Sequence, residues 1–172
     1  FSSPKTDWHD FVTYVSGRGF APLGQSGAPA SYNPGGNNFS GAAATNNVKG
    51  SGTVPNGGLT INSLKEGGVT FTGGTPTGGD TLTLNSGMLI VDGGQGSLGS
   101  TSARGKLTSG VGRQELFVIG RDGAGTRCAV NSVLADNGSP VAVIVTGAHR
   151  SDVLNNNVVD PNSYPQFPSL TA

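Results

Sequence analysis

Leu59-Thr60-Ile61-Asn62-Ser63-Leu64 and Leu82-Thr83-Leu84-Asn85-Ser86-Gly87 read as two copies of one segment, set at a spacing of 23. A further copy, Cys128-Ala129-Val130-Asn131-Ser132-Val133, begins three such spacings beyond Leu59. The intermediate position holds Gly105-Lys106-Leu107-Thr108-Ser109-Gly110, a weaker match in the same phase. The third place is always aliphatic (Ile61, Leu84, Leu107, Val130) and the fifth always serine (Ser63, Ser86, Ser109, Ser132). The fourth is Asn62, Asn85, Thr108 and Asn131 in turn.

A period of 23 is too short for helical repeats or propeller blades, which run roughly 33–50 residues. It suits three short strands and three turns, one coil of a parallel β-helix whose coils stack about 4.8 Å apart. Stacking at one period places Ile61, Leu84, Leu107 and Val130 in an interior ladder. Asparagine fits the bend beside it, because it tolerates left-handed backbone and bonds locally. Stacked Asn62, Asn85 and Asn131 side chains can also hydrogen-bond along the axis, as amide ladders do. A leucine-rich repeat has a similar length, but its Leu-x-x-Leu-x-Leu spacing is missing. Dividing 172 residues by 23 gives about seven coils.

Composition agrees. The chain has 30 glycines, 14 asparagines, 10 prolines, 2 glutamates and 4 lysines, so strong helix formers are scarce. This excludes helical bundles and doubly wound α/β folds. Ten basic residues balance ten acidic ones, and none of the basic residues forms a run, so a nucleic-acid partner is not expected. No stretch of about 18 apolar residues suggests a membrane span. The chain begins at Phe1 and shows no signal peptide, which is expected of a processed product or a fragment.

Other apolar runs (Val69 to Phe71, Met88 to Val91, Leu116 to Ile119, Val141 to Val145) are expected on further faces of the coils. Glycine pairs such as Gly67-Gly68, Gly73-Gly74 and Gly78-Gly79 punctuate them as turns. Residues 1–40 hold Trp8, Tyr14, Tyr32 and four of the seven phenylalanines, and are expected to form a capping strand segment. Residues 41–154 are the expected coils. Residues 155–172, with Pro161, Pro165 and Pro168, are an expected C-terminal cap or tail.

Asn46-Asn47-Val48, Leu59 to Leu64, Asp80 to Val91, Gln114 to Ile119 and Val130 to Gly138 together resemble the autotransporter-associated β-strand repeat. The likeness is to its long versions in secreted planctomycete- and verrucomicrobium-type proteins, and it covers roughly residues 37–140. It implies an all-β, right-handed parallel β-helix, a solenoid of the passenger type, secreted or displayed at the cell surface. It implies no chemistry common to the family. Residues 141–172 depart from the Gly-x-Gly-Thr-Leu unit with which family members usually continue.

Chemical motifs are sparse. Arg104-Gly105-Lys106 fails as a phosphate loop, because Leu107 stands where Ser or Thr is required and Ser100 where glycine is. Neither Gly78-Gly79-Asp80 nor Gly93-Gly94-Gln95-Gly96 completes a calcium nonapeptide. Three charged pairs share the spacing of the repeat: Asp92 with Glu115, Arg104 with Arg127, and Arg113 with Asp136. Stacked Asp92 and Glu115 would give a glycan-cleaving acid pair or a calcium site. His9 and His149 accompany no nucleophile motif. Cys128, in the ladder's first place, reads as a buried inert thiol. Asn38 and Asn137 begin glycosylation sequons. Trp8, Tyr14 and Tyr32 read as packing of an end cap rather than a sugar platform.

The expectation is a non-enzymatic structural or adhesin-like scaffold with no catalytic residue, no cofactor and no metal. Its partners would be further copies or flanking coils, with a glycan or host-surface ligand on its outside and no membrane insertion. A self-assembling extracellular fibre subunit and a polysaccharide-binding or polysaccharide-cleaving β-helix are the alternatives.

Overall fold

Alternation of aliphatic with hydroxyl side chains puts one set inside and the other outside a pleated strand. That pattern is clearest in the strands of residues 52–91, as in Leu59-Thr60-Ile61 and Leu82-Thr83-Leu84. The structure, a computed structural model, describes residues 10–17, 19–23, 32, 39–66, 68–91, 97–120 and 129–147. Its strands are β1 (Val12–Val15), β2 (Gly19–Pro22), β3 (Asn47–Lys49), β4 (Gly52–Val54), β5 (Leu59–Glu66), β6 (Val69–Phe71) and β7 (Thr81–Val91). They continue as β8 (Ser97–Leu98), β9 (Lys106–Ser109), β10 (Glu115–Gly120), β11 (Ala129–Val130), β12 (Val133–Leu134) and β13 (Ala142–Gly147). No helix occurs among the described residues.

The protein is all-β, and its two larger sheets are wholly parallel. In the first, β3 pairs with β5 and β5 with β7. β9 and β10 pair with successive parts of β7, β12 follows on β9, and β13 on β10. The second runs β4, β6, β8, β11. From β3 to β9 the chain alternates between the sheets, each strand laid beside its predecessor in the same sheet; β9 and β10, and later β12 and β13, are then consecutive strands of the first sheet that add to β7, and to β9 and β10, respectively. Parallel neighbours need a long crossover, usually a helix. Here a strand of the opposite sheet serves as that crossover.

The register revises the uniform ladder expected from the repeat. Ile61 does pair with Leu84, but Leu84 next pairs with Ser109, not Leu107. Leu107 lies opposite Leu82, and Val130 belongs to the second sheet, opposite Leu98. The continuous column is Leu59–Leu82–Leu107–Leu134, so the spacing widens at each step along the chain instead of staying constant. The first widening comes from a bulge. Between the pairs Ile61–Leu84 and Ser63–Met88, the single residue Asn62 on β5 faces Asn85, Ser86 and Gly87 on β7. Gly87 has φ +68°, and a Cβ there would lie 2.4 Å from the Glu115 carbonyl oxygen, so the bulge needs glycine.

The core lies between the two sheets. Ile61, Leu64, Leu82, Leu84, Leu89, Leu107, Leu116 and Val118 from the first meet Val54, Val69, Phe71, Leu98 and Val130 from the second. Burying one such side chain stabilises the fold by about 2 kcal/mol. Phe39 belongs to this cluster, and a Cβ on Gly52 would meet its ring at 2.9 Å. At the far end the core thins: Leu134, Val141 and Val143 are half-buried, and Val145 is 45% exposed.

The N-terminal residues are partly described. β1 and β2 form an antiparallel hairpin, with Tyr14 and Phe20 paired edge-to-face at 5.9 Å between ring centroids. Tyr14 is 63% exposed, so it does not pack into an end cap as expected; it stands on the hairpin's open face beside Val12 and Phe20. Tyr32 forms an isolated parallel bridge with Asn47, extending the first sheet beyond β3. Residues 155–172, the expected C-terminal cap or tail, lie outside the described residues.

Candidate functional site

The serine and asparagine places of the repeat form a polar scaffold, buried at Ser63, Ser109, Asn131 and Ser132 and half-buried at Asn62, Asn85 and Ser86, rather than a stack of like residues. Ser63 donates to Asn47 Oδ1 at 2.6 Å, and Asn62 Nδ2 donates to the same oxygen at 2.7 Å. Ser86 donates to the Asn62 carbonyl at 2.6 Å, and Asn85 Nδ2 to the Ala44 carbonyl at 3.0 Å. Ser109 donates to the Arg113 carbonyl at 2.9 Å. Ser132 reaches the Arg104 carbonyl at 2.9 Å and the Leu98 carbonyl at 3.2 Å, while Asn131 Nδ2 donates to the Gly99 carbonyl at 3.1 Å. An amide ladder of Asn62, Asn85 and Asn131 therefore does not form. The bulge and the change of sheet separate them, and each bonds another segment instead.

Thr108 stands where the other copies have asparagine, and its buried hydroxyl has no hydrogen-bond partner. Asn137 closes the turn after β9. Its Nδ2 lies within 3.2 Å of Ser109 O, Ser109 Oγ, Gly110 O and Arg113 O, so the sequon nitrogen is occupied in the fold. Asp80 clamps two turns, accepting from Gly57 N at 2.9 Å through Oδ1 and from Gly73 N at 2.6 Å through Oδ2.

The charged pairs inferred from the period are not assembled by the described residues. Glu115 opens β10, exposed, and pairs with Ala142, whereas Val91 at the end of β7 pairs with Gly120. Asp92 and Arg127 lie outside the described residues, as do His9, His149, Cys128, Trp8 and Asn38. Arg113 and Asp136 are both described. Each makes a local bond: the Arg113 carbonyl accepts from Ser109, and Asp136 Oδ1 accepts from Val141 N at 3.0 Å. No group of three or more His, Cys, Asp and Glu residues able to hold a metal occurs among the described residues.

One cluster has no counterpart among the motifs of the sequence. Lys65 follows Leu64 on β5, so pleating turns it to the outer face of the first sheet, between Lys49 and Ile90 in the ladder. Its side chain is nevertheless wholly enclosed, and Ile90 beside it is 2% exposed, so this outer face is covered. Asp10 Oδ2 lies 3.3 Å from Lys65 Nζ. Asp10 Oδ1 accepts from Phe11 N at 2.9 Å and from the Tyr32 hydroxyl. Lys49 Nζ stands 5.7 Å from the centroid of the Tyr32 ring, a cation–π approach. A buried charge needs a partner, and here it comes from far upstream in the chain. Sequence signals for the cluster were weak: a lysine inside an aliphatic strand, and aromatic crowding in residues 1–40.

No family model, curated protein or solved structure matches the chain.

Proposed function

We propose that the chain is a segment of a right-handed parallel β-helix that serves as a non-enzymatic structural scaffold of a secreted or cell-surface protein. The observation that carries this reading is the register: successive parallel strands lay Leu59, Leu82, Leu107 and Leu134 in one column, with strands of a second parallel sheet between them in the chain. Such stacking has the form of successive coils about 4.8 Å apart. The right hand accords with the general rule for parallel crossovers. The passenger-type resemblance of residues 37–140 supplies the extracellular setting. A rod whose backbone groups bond along its axis resists local opening, and so resists proteases. Thr53 and Thr70, bonded at 2.8 Å on the exposed face, exemplify its neutral, wettable outside.

Negative-stain electron microscopy with sedimentation tests the reading. A monodisperse short rod that resists proteolysis and displays a fused domain away from a cell surface supports it. A compact, readily digested particle, or turnover of a glycan panel that is lost on Glu115→Ala, overturns it.

A fibre subunit is the second reading, favoured by one observation. Among the described residues no strand pairs with the outer edges of β11, β12 and β13. Open parallel edges invite a second chain, and zero net charge removes the repulsion that would oppose it. Fibres in the same micrographs would select this reading over the single rod.

A further inference from the structure

We infer that Lys65 and Asp10 are set to join covalently, forming an amide cross-link that clasps the N-terminal segment to the outer face of β5. Four observations converge. The Lys65 side chain is completely enclosed, and that of Asp10 is 14% exposed, so bulk water has little access to the pair. Nζ lies 3.3 Å from Oδ2, in ion-pair contact with the same carboxyl group whose Cγ it would attack, so the reacting groups are already brought together. The two carboxylate oxygens are differentiated: Oδ2 faces the amine, while Oδ1 receives the Phe11 N–H and the Tyr32 O–H. Finally, the amine and the oxyanion donor are both held, Lys65 by strand pairing to Lys49 and Ile90, and Tyr32 by its bridge to Asn47.

The step balances with nothing added. The Lys65 ammonium passes one proton to Asp10 Oδ2, leaving a neutral amine beside a carboxylic acid. The Nζ lone pair attacks Cγ, and the negative charge that develops on Oδ1 is held by the Phe11 and Tyr32 donors, which act as an oxyanion hole. A second proton moves from nitrogen to Oδ2, the Cγ–Oδ2 bond breaks, and water leaves. Oδ1 returns to a carbonyl and nitrogen keeps one hydrogen, so ammonium and carboxylate become an amide and one water. Enclosure favours the product by keeping water from reversing the reaction. Tyr32 is a catalytic residue in this scheme, because its hydroxyl touches the reacting carboxylate. A clasp of this kind does not depend on the scaffold role, since it would form in any protein with this arrangement.

The test is the intact mass of the purified full chain under denaturing conditions, followed by peptide mapping. The expected result is a mass one water below that of the sequence, with a branched peptide joining Lys65 to Asp10. Asp10→Ala and Lys65→Arg should both show the full mass of their sequences. Tyr32→Phe should slow water loss on refolding by tenfold or more. The unaltered chain decides the matter even if the variants fold poorly. Its full mass would overturn the inference, as would a water loss mapped instead to the Asp-Gly steps at Asp92 or Asp122.

Discussion

Leu82→Cys combined with Leu107→Cys should form a disulfide, whereas Leu84→Cys with Leu107→Cys should not. The first pair is directly opposed across β7 and β9, and both leucines are fully buried. Adjacent parallel strands stand about 4.8 Å apart, which puts opposed Cα atoms inside the disulfide range of roughly 4.4–6.8 Å. Leu84 is displaced from that partner by two places, about 6.6 Å along the strand, so its Cα lies about 8 Å from that of Leu107. Beyond about 7 Å a bridge requires backbone movement. The cross-link closes the loop from position 82 to position 107, for which chain entropy gives about 3.5 kcal/mol of stabilisation relative to the reduced form. The assay is refolding of each double variant, in a Cys128→Ser background, under an oxidising thiol couple. Thiol counting, non-reducing electrophoresis and urea melts with and without reductant then follow. Bridging of positions 84 and 107 with none between 82 and 107 would restore the uniform ladder of the sequence repeat and refute the bulged register.

Other outcomes follow from single contacts. Thr108→Val keeps the shape and removes a buried hydroxyl that lacks a partner, so it should stabilise the chain by about 1 kcal/mol in urea titrations. Gly87→Ala should cost about 3 kcal/mol or more, since a positive φ and a Cβ 2.4 Å from the Glu115 oxygen are both unfavourable; a cost below about 1 kcal/mol would refute a bulge that requires glycine there. Asp80→Ala leaves the Gly57 and Gly73 amides without their acceptor and should lower stability by about 2 kcal/mol, with faster amide exchange at both glycines. Leu107→Ala should destabilise by about 3–4 kcal/mol, measured the same way.

What the sequence disclosed is what local patterning can carry. Leu82-Thr83-Leu84 alternates with the pleat, and its likeness to Leu59-Thr60-Ile61 identified two neighbours that do pair in register. The ladder beyond them was hidden by a change of spacing. The bulge leaves no trace in composition except Gly87, a glycine among thirty. The invariant serines were marked as structural by recurrence, yet most of their partners are carbonyls of other segments, and no motif names a carbonyl. Lys65 was the least legible residue. In Ser63-Leu64-Lys65-Glu66 it reads as a solvent-facing lysine, whereas its enclosure, with a contact to Asp10 distant in the chain, makes that face an interior.

The bulge has an architectural consequence beyond its effect on register. At the same corner of the first sheet, the chain spends one residue on β5 (Asn62), three on β7 (85–87), then residues 110–114 between β9 and β10, and 135–141 between β12 and β13. The columns on either side stay aligned while the segment between them lengthens. This corner is an expansion joint: added length is absorbed sideways, toward solvent, where Val111 is 91% exposed. Foreign peptides inserted between Val111 and Gly112 should therefore be carried without disturbing the leucine column, whereas the same insertion at Thr83 would break it.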